Sequence, residues 1–218
     1  MQKDLKKSGG TDYFEVLNKP LLPTAYLAPI GYYAFLLQQP NCIIEYYEHF
    51  IKQSIRNRCE IYTANGKLQL TIPKKRQGSS KTKISKIKIS YKEAWQKNHW
   101  NSIISAYNSS PFFEHYKDKI EPLFKQQETY LIDFNNKLQK IILNFLDIDF
   151  EYKTTIKYDH MGNFTDLREY EFKIKNMKIY NQVFMEKNGF ISNLSILDLL
   201  FNLGPESREY LDKLDINI

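Results

Sequence analysis

Residues 59–73, CEIYTANGKLQLTIP, hold the most constraining local pattern in the chain: two apolar-alternating runs joined by Asn65-Gly66. A period of two puts alternate side chains on one face of a strand. Asn-Gly readily takes the left-handed backbone that a tight turn needs. An antiparallel hairpin is therefore predicted over 59–73. Just ahead of it, His49, Lys52, Arg56, Asn57 and Arg58 crowd into a mostly polar run, with Glu45 and Glu48 immediately upstream. The spacing predicts a polar loop over His49–Arg58, mounted between a buried strand and the hairpin.

The flanking patterns suggest a layered fold. LLPTAYLAPIGYYAFLLQ (21–38) reads as a short buried strand, a loop broken by Pro23 and Pro29, and a helix with Ile30, Tyr33, Ala34 and Leu37 on one face. CIIEYY (42–47) has the apolar character of a second strand. Strand, helix and strand in succession predict a right-handed βαβ unit, whose Thr24–Pro29 loop opens at the carboxyl edge where ligands bind in open α/β folds. Beyond the hairpin, 74–83 reads as a basic mobile loop and 83–90, with Ile84, Ile87 and Ile89, as a half-buried strand. Helical spacing runs over 91–107, 111–124 (broken near Pro122) and 126–146, followed by a strand at 150–158 and a loop at 159–163. Residues 167–184 follow no single period, whereas 190–204 reads as a helix capped by Ser192 or Asn193 and stopped by Gly204-Pro205, with a last short helix at 205–214. The expectation is a single α/β domain over 20–218 behind a flexible tail, 1–19. It would have a mixed, partly parallel sheet carrying an antiparallel hairpin, with helices on both faces.

A chain of 218 residues with 16 Tyr and 14 Phe can bury a sizeable core, and the phenolic groups then need partners. The formal charge of +6 suits an anionic ligand, nucleic acid or an anionic membrane surface, or simply a lysine-rich solvated surface. Two cysteines, Cys42 and Cys59, do not make a disulfide framework, and the polar start is not a targeting segment. Cytoplasm is the expected compartment, with no transmembrane segment. No Cys/His pair has finger-like spacing and HExxH is absent, so no metal is expected. No cofactor is specified, there is no Gly-rich phosphate loop, and oligomeric state stays open. Residues Lys74–Lys92 are basic but lack interleaved aromatics or a nucleic-acid-binding motif, so dedicated nucleic-acid binding is not predicted; a basic lid over an anionic substrate is.

Several blocks in order, AYLAPIGYY, HFIKQSIRNRCEI with TANGKLQLTIPKK, ISYKEAWQKNHWNSIISAYNSSPFFEHY and NLSILDLLFNLGPES, resemble the WbqC-like protein family over about residues 21–212. Members occur in O-antigen and other surface-polysaccharide gene clusters. The resemblance implies transfer of an acyl or aminoacyl group, glycine in one proposal, to a sugar. It departs at two places. Many members carry His-Gln-Pro ahead of Tyr-Leu-Pro-Trp, where this chain has Leu22-Pro23-Thr24 and Tyr26-Leu27-Ala28-Pro29. Many have Asn where Cys59 stands.

The candidate catalytic residues are His49 and His99, because imidazole titrates near neutrality. For His99, between Trp95 and Trp100, the alternative is a structural histidine. Lys52, Arg56, Asn57 and Arg58 are candidate binders of an anionic small-molecule or sugar-linked substrate; alternatively the cations tie the loop to Glu45, Glu48 or Glu60. Thr24 and Tyr26 either face that ligand or pack around Pro29. Backbone N–H groups over Tyr26–Gly31 are candidates for holding an oxyanion. Cys59 is either a nucleophile with His49 as base or a small strand residue. Asp198, in an apolar helix, must be paired, capping or solvent-facing. A non-catalytic binding or scaffold protein for a nucleotide-linked sugar or other anionic ligand is the alternative to a transferase.

Overall fold

The computed structural model describes residues 19–76, 81–148, 152–158 and 164–216. The expected tail therefore lies outside the described residues except for Lys19, as do the loop at 159–163 and His160. Strand β1 (Lys19–Pro23) leads through a loop to helix α1 (Ile30–Gln38) and strand β2 (Ile43–Glu45). These two strands pair in parallel, Leu21 beside Ile43 and Pro23 beside Glu45, which is the βαβ unit. β5 (Lys153–Thr154) adds to β2, and β6 (Phe164–Asp166) adds to β1, both parallel. The order is β5-β2-β1-β6. All four strands thus end on one carboxyl edge.

The hairpin, β3 (Arg58–Thr63) and β4 (Gly66–Thr71), forms a separate two-stranded sheet, Cys59 facing Leu70 and Ile61 facing Leu68. Gly66 takes φ 93°, where a side chain would be strained, as the Asn-Gly signal requires. The domain is mixed α/β. Its helical layer comprises α2 (Trp95–Tyr107), α3 (Phe113–Lys125), α4 (Leu131–Phe145), the short α5 (Met185–Asn188), α6 (Ile196–Leu203) and α7 (Ser207–Asp212). Among the described residues, no helix is long and apolar enough to cross a membrane.

Four boundaries differ from the sequence reading. Residues 83–90 are not a strand: Ile84–Lys86 makes a 3-10 turn, and Ile84, Ile87 and Ile89 are buried one by one as the chain winds past Tyr46–Phe50 and Thr129–Leu131. These backbone bonds pin the basic segment over 81–90, so it is not a mobile lid there. The helix at 111–124 runs through Pro122 to Lys125, because a proline near the helix end forfeits only one backbone bond. Helix α4 starts at Leu131 rather than 126, since Thr129 and Tyr130 instead bond the Ile87–Ile89 backbone.

The fourth concerns α6, which begins at Ile196 with Ser195 as cap, its side chain accepting from Leu197 N. Asn193 has a different task. At φ 54° its Oδ1 accepts from Gly31 N, at 2.9 Å, and its Nδ2 donates to Phe172 O. Helix α1 has no cap of its own; Asn193 and the Leu194 carbonyl, which accepts from Ile30 N, satisfy its first two donors from across the fold. Gly31 is fixed by this junction. A Cβ there would lie 2.1 Å from the Phe172 carbonyl oxygen. Gly31→Ala is expected to lower unfolding free energy by about 3 kcal/mol in urea titration, as overpacking against backbone does; a change under about 0.5 kcal/mol would show that the junction yields.

Candidate functional site

A groove of about 810 Å³ runs along the carboxyl edge of the parallel sheet. Its walls include Pro29 after β1, Ile51, Gln53–Arg56 and Arg58–Glu60 after β2 and into β3, Arg168–Glu171 after β6, and Ser192, Asn193 and Ser195 before α6. A smaller hollow, walled by Glu48, His49, Tyr158 and Asp166, shares Ile51, Arg168, Glu169 and Tyr170 with it. The two hollows adjoin across these four residues.

Their floor is a buried ionic network. Arg56, 1% exposed, grips Glu48 with two parallel bonds, Nε to Oε1 at 2.6 Å and Nη2 to Oε2 at 2.7 Å. Nη2 also donates to the Arg168 carbonyl at 3.1 Å, joining the β2 loop to the β6 exit. Burial pushes the Glu48 carboxyl above its ordinary range while Arg56 works against that rise. Alongside, Glu45 accepts from Thr155 Oγ1 and Tyr47 N, and its other oxygen lies 3.8 Å from Arg168 Nη1. Arg168 in turn holds the exposed Asp166 through two bonds and lies over the Tyr158 ring. Asp166 and Arg168 thus pair across the bend that follows β6.

This placement separates the sequence candidates. Arg56 ties the loop to Glu48, the structural alternative. Releasing Arg56 to a ligand would strand a buried carboxylate, a loss of about 3–5 kcal/mol, against about 1.5–3 for a new bond to an anion. Asn57 is also structural: its Nδ2 donates to Ile72 O and its carbonyl accepts from Ile72 N, closing the hairpin root. Lys52 is exposed and lines neither hollow. Thr24 and Tyr26 are wholly buried. Thr24 Oγ1 accepts from Asn135, which also donates to the Arg56 carbonyl. Tyr26 Oη meets His99 Nδ1 at 2.9 Å, beneath Trp95 and Phe134. Neither faces a ligand, because the loop folds inward under the polar segment, Tyr26 N donating to Ile55 O. Of the donors expected for an oxyanion over Tyr26–Gly31, those of Tyr26, Ile30 and Gly31 are taken, by Ile55, Leu194 and Asn193.

Two candidates remain at the groove. Arg58 lines it with Nε enclosed and lacking an acceptor. His49 is exposed on the rim of the smaller hollow. His99 is not brought to them; burial draws its pKa down to about 4, so it is neutral at pH 7. Cys59 touches the groove wall but is buried, and desolvation pushes its thiol well up, which removes the thiolate a nucleophile needs. Arg168, Glu169, Tyr170 and Asn193 are groove-lining residues that periodicity did not reveal. Three of them lie at the start of the aperiodic 167–184, and the isolated Asp166-x-Arg168 pattern was their one signal.

Asp198 is buried without a cation. Tyr180 Oη and Gln182 Nε2 both donate to its Oδ2, and burial raises its pKa to about 6. As pH rises from about 4 to 6, the native state keeps a proton the unfolded state has lost, so stability falls. His99 acts oppositely: as pH falls from 6.5 to about 4, the unfolded state gains a proton the native state refuses, and stability again falls. Each effect is about 3 kcal/mol, so the two offset one another. Urea unfolding across pH 4–6.5 should expose them separately. Asp198→Asn should lose stability on acidification, and His99→Gln should gain it; parallel profiles would contradict both assignments.

The sequence profile of the WbqC-like protein family matches residues 24–176 and 165–210. The uncharacterized protein Rv1507c of Mycobacterium tuberculosis is 24% identical over 225 residues, spanning 88% of this chain and 96% of that protein. No solved structure matches.

Proposed function

The chain belongs to the WbqC-like protein family, and from that premise we propose that its groove binds an anionic, sugar-linked substrate and supports transfer of an acyl or aminoacyl group, of glycine type, to the sugar in surface-polysaccharide assembly. One observation carries the binding half: Arg58 lines the groove, and among the described residues its Nε–H has no acceptor. An enclosed donor left unbonded is costly, and a phosphate or carboxylate oxygen relieves that cost with a charge-assisted bond. The nearby cations are already matched within the chain, Lys67 with Glu60, Lys173 with Glu171 and Arg168 with Asp166. That leaves Arg58 as the receptor.

His49 supplies the transfer half. It stands on the rim of the adjoining hollow, where an imidazole can take the proton of an attacking hydroxyl or amine. A specific observation favours the second reading, a non-catalytic binding protein for the same ligand class: of the two candidate histidines, only His49 lies by the groove, and His99 is buried and neutral.

Titration calorimetry with a nucleoside-diphosphate sugar, a sugar phosphate and the free sugar separates these roles. Arg58→Gln is expected to weaken binding of both charged ligands by about tenfold or more and to leave the free sugar unaffected. His49→Gln should retain binding and abolish acyl transfer followed by the mass of the sugar product. Unchanged affinity in Arg58→Gln would remove the anion assignment. Binding without transfer from any aminoacyl donor would establish the second reading.

A further inference from the structure

The positive charge of this chain is concentrated in one stretch of sequence. Between Lys74 and Lys92 stand eight Lys and Arg and no Asp or Glu. The whole chain has 31 Lys and Arg against 25 Asp and Glu; without this strip 23 cations face 25 acids, and the balance turns from +6 to −2. The net charge of the molecule therefore comes from this stretch.

The fold holds the described parts of this strip, 74–76 and 81–92, in place and leaves their cations exposed or, at Lys74, half-buried. Lys75 N donates to Lys88 O, and Ser90 N to Pro73 O, tying its two ends together. Phe50 N donates to Thr82 O and Ile84 N to Glu48 O, fixing its middle to the β2 loop. Ile84, Ile87 and Ile89 go into the core, and the intervening Lys83, Lys86 and Lys88 are exposed. Three lysine ammoniums lie over aromatic faces: Lys74 over Phe50, Lys83 over Tyr47 and Lys88 over Tyr130.

We propose that this strip is a peripheral docking surface for an anionic lipid bilayer. Clusters of four to eight Lys or Arg are attracted to anionic headgroups by about fivefold in affinity per residue, without needing a shaped pocket. The composition matches that mode: seven of the eight cations are Lys, compact point charges, and one is Arg, the residue suited to forked recognition of phosphate and base edges. Single-stranded nucleic acid would need open aromatic faces on which bases stack. Here the rings of Tyr47, Phe50 and Tyr130 already carry ammonium groups. Lys83 pairs through its backbone with His49, so the docking face adjoins the rim of the groove.

Co-sedimentation with vesicles tests this directly. The full chain is expected to bind vesicles of phosphatidylglycerol mixed with phosphatidylcholine, to ignore pure phosphatidylcholine, and to lose binding as salt is raised. A variant with Lys75, Arg76, Lys83 and Lys88 all changed to Gln should bind at least about a hundredfold more weakly. A control with Lys97, Lys140, Lys157 and Lys175 changed to Gln carries the same charge loss elsewhere and should bind within a few-fold of the parent. Both variants should melt with the parent, which keeps the comparison free of unfolding. No binding to the anionic vesicles, equal loss in the two variants, or tighter binding to single-stranded RNA than to vesicles at the same salt would each overturn the proposal.

Discussion

The carboxyl edge of this fold depends on one buried ion pair, Arg56 with Glu48. Two desolvated charges are worth retaining only if each is fully met, and here the guanidinium and carboxylate lie side by side in two short bonds. The pair also gathers chain segments. Glu48 follows β2, Arg56 precedes β3, the Arg56 guanidinium reaches the carbonyl beyond β6, and the Arg56 carbonyl accepts from Asn135 of α4. Asn135 continues the chain of bonds to Thr24 beyond β1. Loops from three parallel strands are thereby fixed relative to one another, and the groove is the space left above them.

This arrangement explains why neighbouring arginines in one loop serve different ends. Arg56 points into the sheet edge, where leaving Glu48 would cost more than a ligand could return. Arg58, two residues on, begins the hairpin. Its side chain has the opposite facing to Cys59, which turns to the core. The strand period thus puts Cys59 out of play as a nucleophile and leaves Arg58 at the groove.

Much of the fold was legible because it rests on local signals. Asn65-Gly66 located the hairpin, Pro29 the start of α1, and short apolar runs the first two parallel strands. The polar segment 49–58 was legible as a loop between a buried strand and the hairpin, and the blocks of resemblance gave the family. What the sequence could not show was pairing at long range. Whether Arg56 meets Glu48 or a ligand, or whether Tyr26 faces a cleft or His99 on a helix 73 residues away, is decided by tertiary contacts with no local period. Asn193 was read as the cap of its own helix and instead caps α1, since a positive φ turns its side chain away from the chain that follows. The β6 exit stayed hidden for the same reason: Arg168–Tyr170 has irregular backbone, and its role comes only from the loops opposite.

The central claim is that, among the described residues, Arg58 and not Arg56 is the free cation of the groove. The most direct measurement is nitrogen-15 NMR of the two arginine Nε–H groups during titration with a nucleoside-diphosphate sugar. The Arg58 Nε–H should move downfield in a saturable way as it gains an acceptor, while the Arg56 Nε–H, already bonded to Glu48, stays in place. An Arg58 signal that does not move, or an Arg56 signal that moves with it, would contradict the account.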